Sequence, residues 1–174
     1  GYGTDGNLWG GEFLIAGIEG FERVGQFKYV PLPGGEAAIR EPWRTAVSYV
    51  ADAVGAQAAS RLAALGFTER QGQTSVEQVL KIAGARDLSP LSSGAGRLFD
   101  AVSALLGVCD RNTFEGEAAI VLEALTVEDI DDEYPVVLTK ENEYTVLDFC
   151  DAINAMIDDL MKCVPKSIIA TRFH

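Results

Sequence analysis

The sequence predicts an α+β unit, mainly helical, in which an N-terminal β-hairpin is followed by a helical subdomain. Three observations carry this expectation. Apolar residues flank a glycine-containing turn between residues 7 and 30. Apolar positions then recur at helical spacing from Glu36 to about Thr126. Two short β-rich runs and a last amphipathic helix complete the chain.

In the hairpin, Leu8, Trp9, Phe13, Leu14 and Ile15 make an apolar first arm and Gly17 to Gly20 the turn. Phe21, Val24, Phe27, Tyr29 and Val30 make the return. Gly10-Gly11 inside the first arm predicts a bulge or a close backbone approach. Pro31-Leu32-Pro33-Gly34-Gly35 then stops the strand. Trp43, Val47, Val50 and Val54 lie on one helical stripe, with Pro42 near its start. Ala58 to Leu65 predicts a shorter helix ended by Gly66. Ser75 reads as the N-cap of a helix over Val76 to Ala83, with Val76, Val79, Leu80 and Ala83 on one face. Leu98, Val102, Leu105 and Leu106 mark the next helix, closed by Gly107, and Ala118 to Leu125 another. Pro135 to Leu138 and Tyr144 to Val146 predict short strands around a polar turn at Lys140 to Glu143. The final long helix carries Leu147, Cys150, Ile153, Ile157, Leu160 and Met161 on its buried side. Pro165 breaks it and a new helix begins with Ile168-Ile169.

Composition narrows the function. A chain of 174 residues with a hydrophobic fraction of 48% builds one sizeable core. The formal charge of −12 excludes a large nucleic-acid footprint, which needs clustered Lys and Arg. No apolar run approaches the ~20 residues that span a bilayer, and no secretory signal is present. A cytoplasmic protein with no membrane partner is therefore expected. Cys109, Cys150 and Cys163 have no short spacing, so they read as free buried thiols rather than a disulfide framework or metal site. The acidic run Glu128, Asp129, Asp131, Asp132 and Glu133 reads as a solvated loop. The chain lacks a starting Met, opens on a glycine cluster and stops after a helix-like stretch. It is expected to be an internal piece of a larger enzyme, with exposed apolar edges where neighbouring segments pair.

Two segments have residues that packing alone does not require. Gly1-Tyr2-Gly3-Thr4-Asp5-Gly6 is either a simple turn or a loop whose backbone N–H groups approach a phosphate. Ser92-Ser93-Gly94-Ala95-Gly96-Arg97-Leu98-Phe99-Asp100 opens a helix. Its free N–H groups and positive dipole end suit a ligand, with Asp100 a turn further on to accept from ribose hydroxyls; an ordinary cap is the other reading. Trp9 and Trp43 read as core aromatics, and His174, with no second ligand, as structural.

Gly1 to Leu14 (GYGTDGNLWGGEFL) resembles the GYGxDGxxWGGEFL segment of the hydrogenase-maturation carbamoyltransferases of the HypF type. The resemblance continues through Pro31 to Gly35, Arg40 to Arg44, Gly96 to Val102, Phe114 to Ala119 and Ile169 to His174, in family order. It departs where Ser92-Ser93-Gly94 replaces the usual Thr-Ser-Ser. The resemblance implies the middle of a carbamoyltransferase domain with an actin-like ATPase fold. Residues 1–35 would then be a β-hairpin and phosphate-loop remnant, 36–130 a helical subdomain, and 131–174 short strands and C-terminal helices.

The implied reaction makes carbamoyl-adenylate from carbamoyl phosphate and ATP, then passes the carbamoyl group to the C-terminal cysteine of a partner, HypE. By alignment with relatives, Gly1, Tyr2 and Gly3 resemble part of the phosphate loop, Asp100 falls where the ribose is met, and Gly116 and Glu117 neighbour the same sugar. No residue of the chain is expected to be catalytic. A divalent metal (zinc, magnesium or iron) is implied for the intact domain, with ligands outside this chain. The other expectation is a scaffold or partner-docking subdomain with no nucleotide site of its own.

Overall fold

A computed structural model describes residues 1–128, 130–141 and 143–174. Asp129 of the acidic run and Asn142 of the predicted polar turn lie outside the described residues. A four-stranded sheet is formed by β1 (Glu12–Gly17), β2 (Gly20–Phe27), β5 (Val137–Glu141) and β6 (Tyr144–Asp148), in the order β1-β2-β6-β5. The hairpin forms as expected, with Gly17 opposite Gly20, but its irregularity falls between Phe13 and Leu14 rather than at Gly10-Gly11. Gly10-Gly11 instead fulfils the other expectation, close approach: a Cβ on Gly11 would sit 2.2 Å from the Ser93 carbonyl oxygen.

Two features of the sheet lay beyond periodicity. β2 pairs in parallel with β6, joining segments far apart in the chain. Val30 leaves the hairpin altogether: β3 (Val30–Pro31) pairs with β4 (Leu91–Ser92), which brings the hairpin exit to the start of the α6 segment. The hairpin side chains Phe13, Leu14, Ile15, Ile18 and Phe21 are exposed, as are Val137 and Leu138 on the opposite edge.

Helices fill the space between. α1 (Glu36–Arg40) leads into α2 (Pro42–Val54), with Pro42 in the first turn, where its missing N–H has no partner to lose. Trp43, Val47 and Val50 of the predicted stripe are buried. After a 3₁₀ turn at Gly55–Gln57 come α3 (Ala58–Ala64), α4 (Phe67–Gln71) and α5 (Gln73–Ala83). Ser75 lies inside α5 and does not cap it. Gly72, with φ of 83°, turns the chain sharply enough for α5 to start at Gln73. α6 (Ala95–Leu105) stops before Gly107, whose φ of 62° needs glycine, and α7 is Glu117–Glu123.

α8 (Cys150–Met161) buries Ile153 and Ile157 together with Ala152 and Met156. Leu147 belongs to β6 and Met161 is 48% exposed, so the predicted apolar face was too wide at both ends. α9 (Lys166–Phe173) begins directly after Pro165. Among the described residues, no helix is long and apolar enough to cross a membrane.

One core joins α2 to α9, with Val47, Leu62, Phe67, Val102, Leu122 and Ile157 fully buried. α2 and α6 make the most extensive helix–helix contact, and both carry small buried residues: Ala46 and Ser48 on one, Ala101, Ser103 and Ala104 on the other. Small side chains let helix axes approach closely, so the α6 start is held rigidly against the core. Gly11→Ala is expected to lower stability by about 1–3 kcal/mol through overpacking against Ser93. Gly17→Ala, where a Cβ meets nothing within 4 Å, is expected to be near neutral. Chemical denaturation of both variants checks this.

Candidate functional site

A cleft of about 720 Å³ opens where four segments meet. It is lined by Gly1 and Leu8 to Gly10, by Leu32, Ile39 and Arg40, by Ser92, Gly94, Gly96 and Arg97, and by Asn112 to Gly116. The groove beside Trp43 and Lys81 is smaller, about 470 Å³.

The N-terminal wall is a tight loop built on Asp5. Its carboxylate accepts from the Trp9 indole N–H at 2.9 Å, the Tyr29 hydroxyl at 2.7 Å, the Asn7 backbone N–H at 3.1 Å and Arg23 at 3.2 Å. Desolvation, the largest single effect, pushes the Asp5 carboxyl up, but the four hydrogen bonds, led by Tyr29, together hold it down at about 2. The Arg23 guanidinium stacks 4.5 Å from the Trp9 ring and 4.8 Å from that of Tyr144. Trp9 is therefore a half-buried cleft wall, not the core aromatic expected; Trp43 is core. The second wall is tied to the first by Glu12, which accepts from the N–H groups of Gly10 and Gly11 at 2.6 and 3.1 Å and from the Ser93 hydroxyl.

Asn112 organises the third wall. Its side-chain amide donates to the Ile39 carbonyl at 3.0 Å and to Asp100 at 3.3 Å, and its oxygen accepts from the Ala118 N–H at 3.0 Å. Its own N–H donates to the Arg40 carbonyl at 2.9 Å. One side chain thus joins α1, α6 and the start of α7.

The residues expected at the site are placed unevenly. Gly1 and Gly116 line the cleft. Asp100 is 2% exposed and lies behind the lining residues Arg97 and Asn112. Its Oδ2 is 2.8 Å from Arg97 Nη1, a charge-to-charge approach without hydrogen-bond alignment. Burial pushes the Asp100 carboxyl above its ordinary value, and Arg97 and Asn112 only partly oppose this. Glu117, in the first turn of α7, accepts from the Thr113 N–H. Tyr2 is 75% exposed. Gly3 donates its N–H to the Asn7 carbonyl at 2.8 Å, and a Cβ there would sit 2.1 Å from the Trp9 ring. The need for glycine at position 3 comes from Trp9, not from a ligand.

Asp5, Glu12, Arg97 and Asn112 were not singled out from the sequence. The Asp-x-x-x-Trp and Gly-Gly-Glu spacings are visible there, but nothing local shows that Glu12 meets Ser93 or that Asn112 meets Asp100.

Among the described residues, one group has metal-ligand spacing: Asp52, Asp148 and Cys150. The Lys28 ammonium lies 2.8 Å from Asp52, 3.0 Å from Asp148 and 3.3 Å from the Cys150 sulfur, so the cluster is already charge-compensated and does not fit an added cation. Burial first, then its hydrogen bonds to Asp148 and Asp52, push the Cys150 thiol up to about 12, against the opposing effect of Lys28. Only Cys109 is the buried thiol expected of all three; Cys150 is half-buried and Cys163 exposed. His174 meets the Ala170 carbonyl at 2.8 Å and packs edge-on to Phe99 and Phe173, consistent with its structural reading.

The fold is that of one subdomain of a carbamoyltransferase: the family described as "Carbamoyltransferase, Kae1-like Domain, second subdomain" matches residues 1–174. The chain belongs to the HypF carbamoyltransferase family. It is 43% identical to carbamoyltransferase HypF of Rhodobacter capsulatus over 130 residues, 74% of this chain and 16% of that protein. To carbamoyltransferase HypF of Synechocystis sp. it is 33% identical across 100% of this chain and 24% of the relative. The chain thus spans less than a quarter of the length of either. Its fold matches a crystal structure of full-length HypF in the phosphate- and nucleotide-bound form with a TM-score of 0.87 and 37% identity, covering 100% of this chain and 22% of that one. HypF of T. kodakarensis matches with a TM-score of 0.77 and 29% identity, over 99% of this chain and 23% of that one.

Two outcomes follow from the chemistry. Asp5 has a depressed folded-state value, so its stabilising effect is complete above 3.8 and is lost as pH falls towards about 2. The stability difference between the wild type and Asp5→Asn, measured by denaturation across this range, is expected to shrink accordingly. Iodoacetamide at pH 8 is expected to label Cys163 at least about tenfold faster than Cys150 or Cys109, read by peptide mass spectrometry.

Proposed function

We propose that this subdomain forms one wall of the nucleotide site in an enzyme that makes carbamoyl-adenylate from carbamoyl phosphate and ATP. The enzyme then passes the carbamoyl group to the C-terminal cysteine of HypE during maturation of nickel–iron hydrogenase, in the cytoplasm. The observation that carries the reading is convergence. Gly1 of the N-terminal loop, Gly96 and Arg97 of the α6 block, and Phe114 to Gly116 of the third block are far apart in sequence but line one cleft. The full-length HypF whose fold this chain shares was crystallised with phosphate and nucleotide bound.

In this reading Gly1, Tyr2 and Gly3 lie towards the phosphates, and Asp100, Gly116 and Glu117 towards the sugar. The work of the subdomain is positioning and charge stabilisation around the acyl-adenylate. The acceptor thiol belongs to the partner, in keeping with the protonated, half-buried Cys150 and buried Cys109. The divalent metal implied for the intact domain would be held by residues outside this chain; the cluster around Lys28 does not fit one. The exposed apolar hairpin, with Ile18 at its tip, favours a second role in docking a partner or a neighbouring domain.

An amide NMR titration with ATP and AMP tests the first reading. Shifts are expected at Gly1, Gly96 and Gly116, and Asp100→Ala is expected to weaken binding about ten- to hundredfold by releasing the Arg97 guanidinium that its buried carboxylate holds in the cleft lining. A well-dispersed spectrum that does not respond to millimolar nucleotide would leave docking as the role of the subdomain.

A further inference from the structure

Asn112 belongs to no helix: it lies on the connection between α6 and α7, in the lining of the cleft. Both of its amide hydrogens and its oxygen are nonetheless engaged. The nitrogen donates to the Ile39 carbonyl at 3.0 Å and to Asp100 Oδ1 at 3.3 Å, and the oxygen accepts from the Ala118 N–H at 3.0 Å. The Cys109 thiol approaches the same oxygen at 3.7 Å. A terminal amide carries two donors and one acceptor oxygen in a single plane. An ionised Asp of the same length offers no donor, and Leu, of similar shape, offers neither donor nor acceptor.

The three partners belong to three helices: Ile39 to α1, Asp100 to α6 and Ala118 to α7. The backbone N–H of Asn112 also donates to the Arg40 carbonyl at 2.9 Å, so the end of α1 is gripped twice. Thr113 to Gly116, which follow, are exposed and form the third wall of the cleft. Among the described residues, they make no hydrogen bond of their own to α1 or α6. The position of that wall against the other two is therefore set at its first residue.

We infer that Asn112 is a positioning residue of this cleft: by donating to Asp100 and to the Ile39 carbonyl while accepting from Ala118, it holds Thr113 to Gly116 at a fixed distance from α1 and α6, and nucleotide binding depends on that distance. The inference rests on the nucleotide reading above. It goes beyond that reading by naming what sets the width of the cleft.

The charge of the residue at position 112 matters because Asp100 is buried beside it. Around this pair stand Arg97 on α6, Arg40 at the end of α1 and Glu117 on α7. On the connection itself, Asp110 pairs with Arg70 and Arg111 with Glu41. Burial pushes up both the Tyr49 hydroxyl of α2 and the Cys109 thiol, and a backbone hydrogen bond from Thr113 holds the Glu117 carboxyl down. A carboxylate introduced at position 112 would thus share its proton with Asp100.

The test measures AMP binding by titration calorimetry between about pH 5 and 8, with thermal unfolding of each unliganded protein. Affinities are compared as ratios to the wild type at each pH, so the ionisation of AMP cancels. Asn112→Leu is expected to weaken binding at least about tenfold throughout. Asn112→Asp is expected to stay within about threefold of the wild type at the acid end, where the shared proton supplies a donor. Its deficit is expected to grow towards that of Asn112→Leu as pH rises. Arg70→Gln serves as a control away from the cleft lining, because Arg70 donates to the Leu65 and Ala104 carbonyls. It is expected to lower the unfolding midpoint by about 2–4 °C and leave AMP affinity within about twofold.

A folded Asn112→Leu protein that binds AMP as the wild type does would overturn the positioning role and leave the nucleotide reading intact. So would an Asn112→Asp protein no better than Asn112→Leu at the acid end, or an equal loss of affinity in Arg70→Gln. Should Asn112→Leu not fold, Asn112→Asp decides alone: a ratio flat across the pH range overturns the role. A wild type that binds no AMP overturns both readings.

Discussion

The cleft exists because two backbone segments lie in direct contact: Gly10-Gly11 of the N-terminal loop and Ser93-Gly94 at the start of α6. A Cβ on Gly10 would approach the Gly94 Cα to 3.1 Å, and one on Gly11 would overlap the Ser93 carbonyl. Glu12 closes this contact, accepting from both glycine N–H groups and from the Ser93 hydroxyl. A carboxylate that accepts three hydrogen bonds is held firmly, and it sets the hairpin at a fixed distance from α6. Since α6 packs on α2 through small side chains, the loop inherits the rigidity of the core.

Charge is distributed to the same end. The acidic excess lies away from the cleft: Glu128, Asp131, Asp132 and Glu133 are exposed on the connection to β5, where Arg172 pairs with Asp132 at 2.8 Å. Several carboxylates at the junctions, from exposed Asp5 to buried Asp100, are paired with cations, while Glu12 is held by hydrogen bonds from Gly10, Gly11 and Ser93. Asp5 has Arg23, Asp52 and Asp148 share Lys28, Asp159 has Arg172 and Asp100 has Arg97. Breaking a buried pair leaves an uncompensated charge, which is more destabilising than the pair is stabilising. Of these cations Arg97 is the one that lines the cleft.

The apolar hairpin follows a different logic. Its outer side chains are exposed on both strands, and the opposite edge of the sheet, at Val137 and Leu138, is exposed too. A sheet with two such edges is complementary to further protein surface. The HypF proteins of Rhodobacter capsulatus and Synechocystis sp. are more than four times as long as this chain, which is consistent with such surface being available in the family.

Periodicity was sufficient wherever burial is one-sided and local. The stripe Trp43, Val47 and Val50, the stop at Gly107 and the hairpin over Gly17 to Gly20 were all legible, because helical and strand repeats report which face meets the core. The motif blocks, read in order, were enough to place the family. Pattern failed where a contact depends on distance through space. Val30 left the hairpin for Leu91–Ser92, Leu147 joined a parallel pairing with β2, and Gly72 displaced Ser75 from its cap.

The candidate site divides the same way. Which glycines and hydroxyls are unusual is a property of the sequence. Which of them line the cleft is not, since Gly3 is packed against the Trp9 ring while Gly96 opens onto the cleft. Composition and local spacing by themselves determined the fold class and the helices, and the resemblance of the motif blocks to known carbamoyltransferases placed the family. Only the tertiary structure decided that Gly1, Arg97, Asn112 and Gly116 share one cleft with Asp100 behind them, because long-range packing rather than local propensity sets those distances.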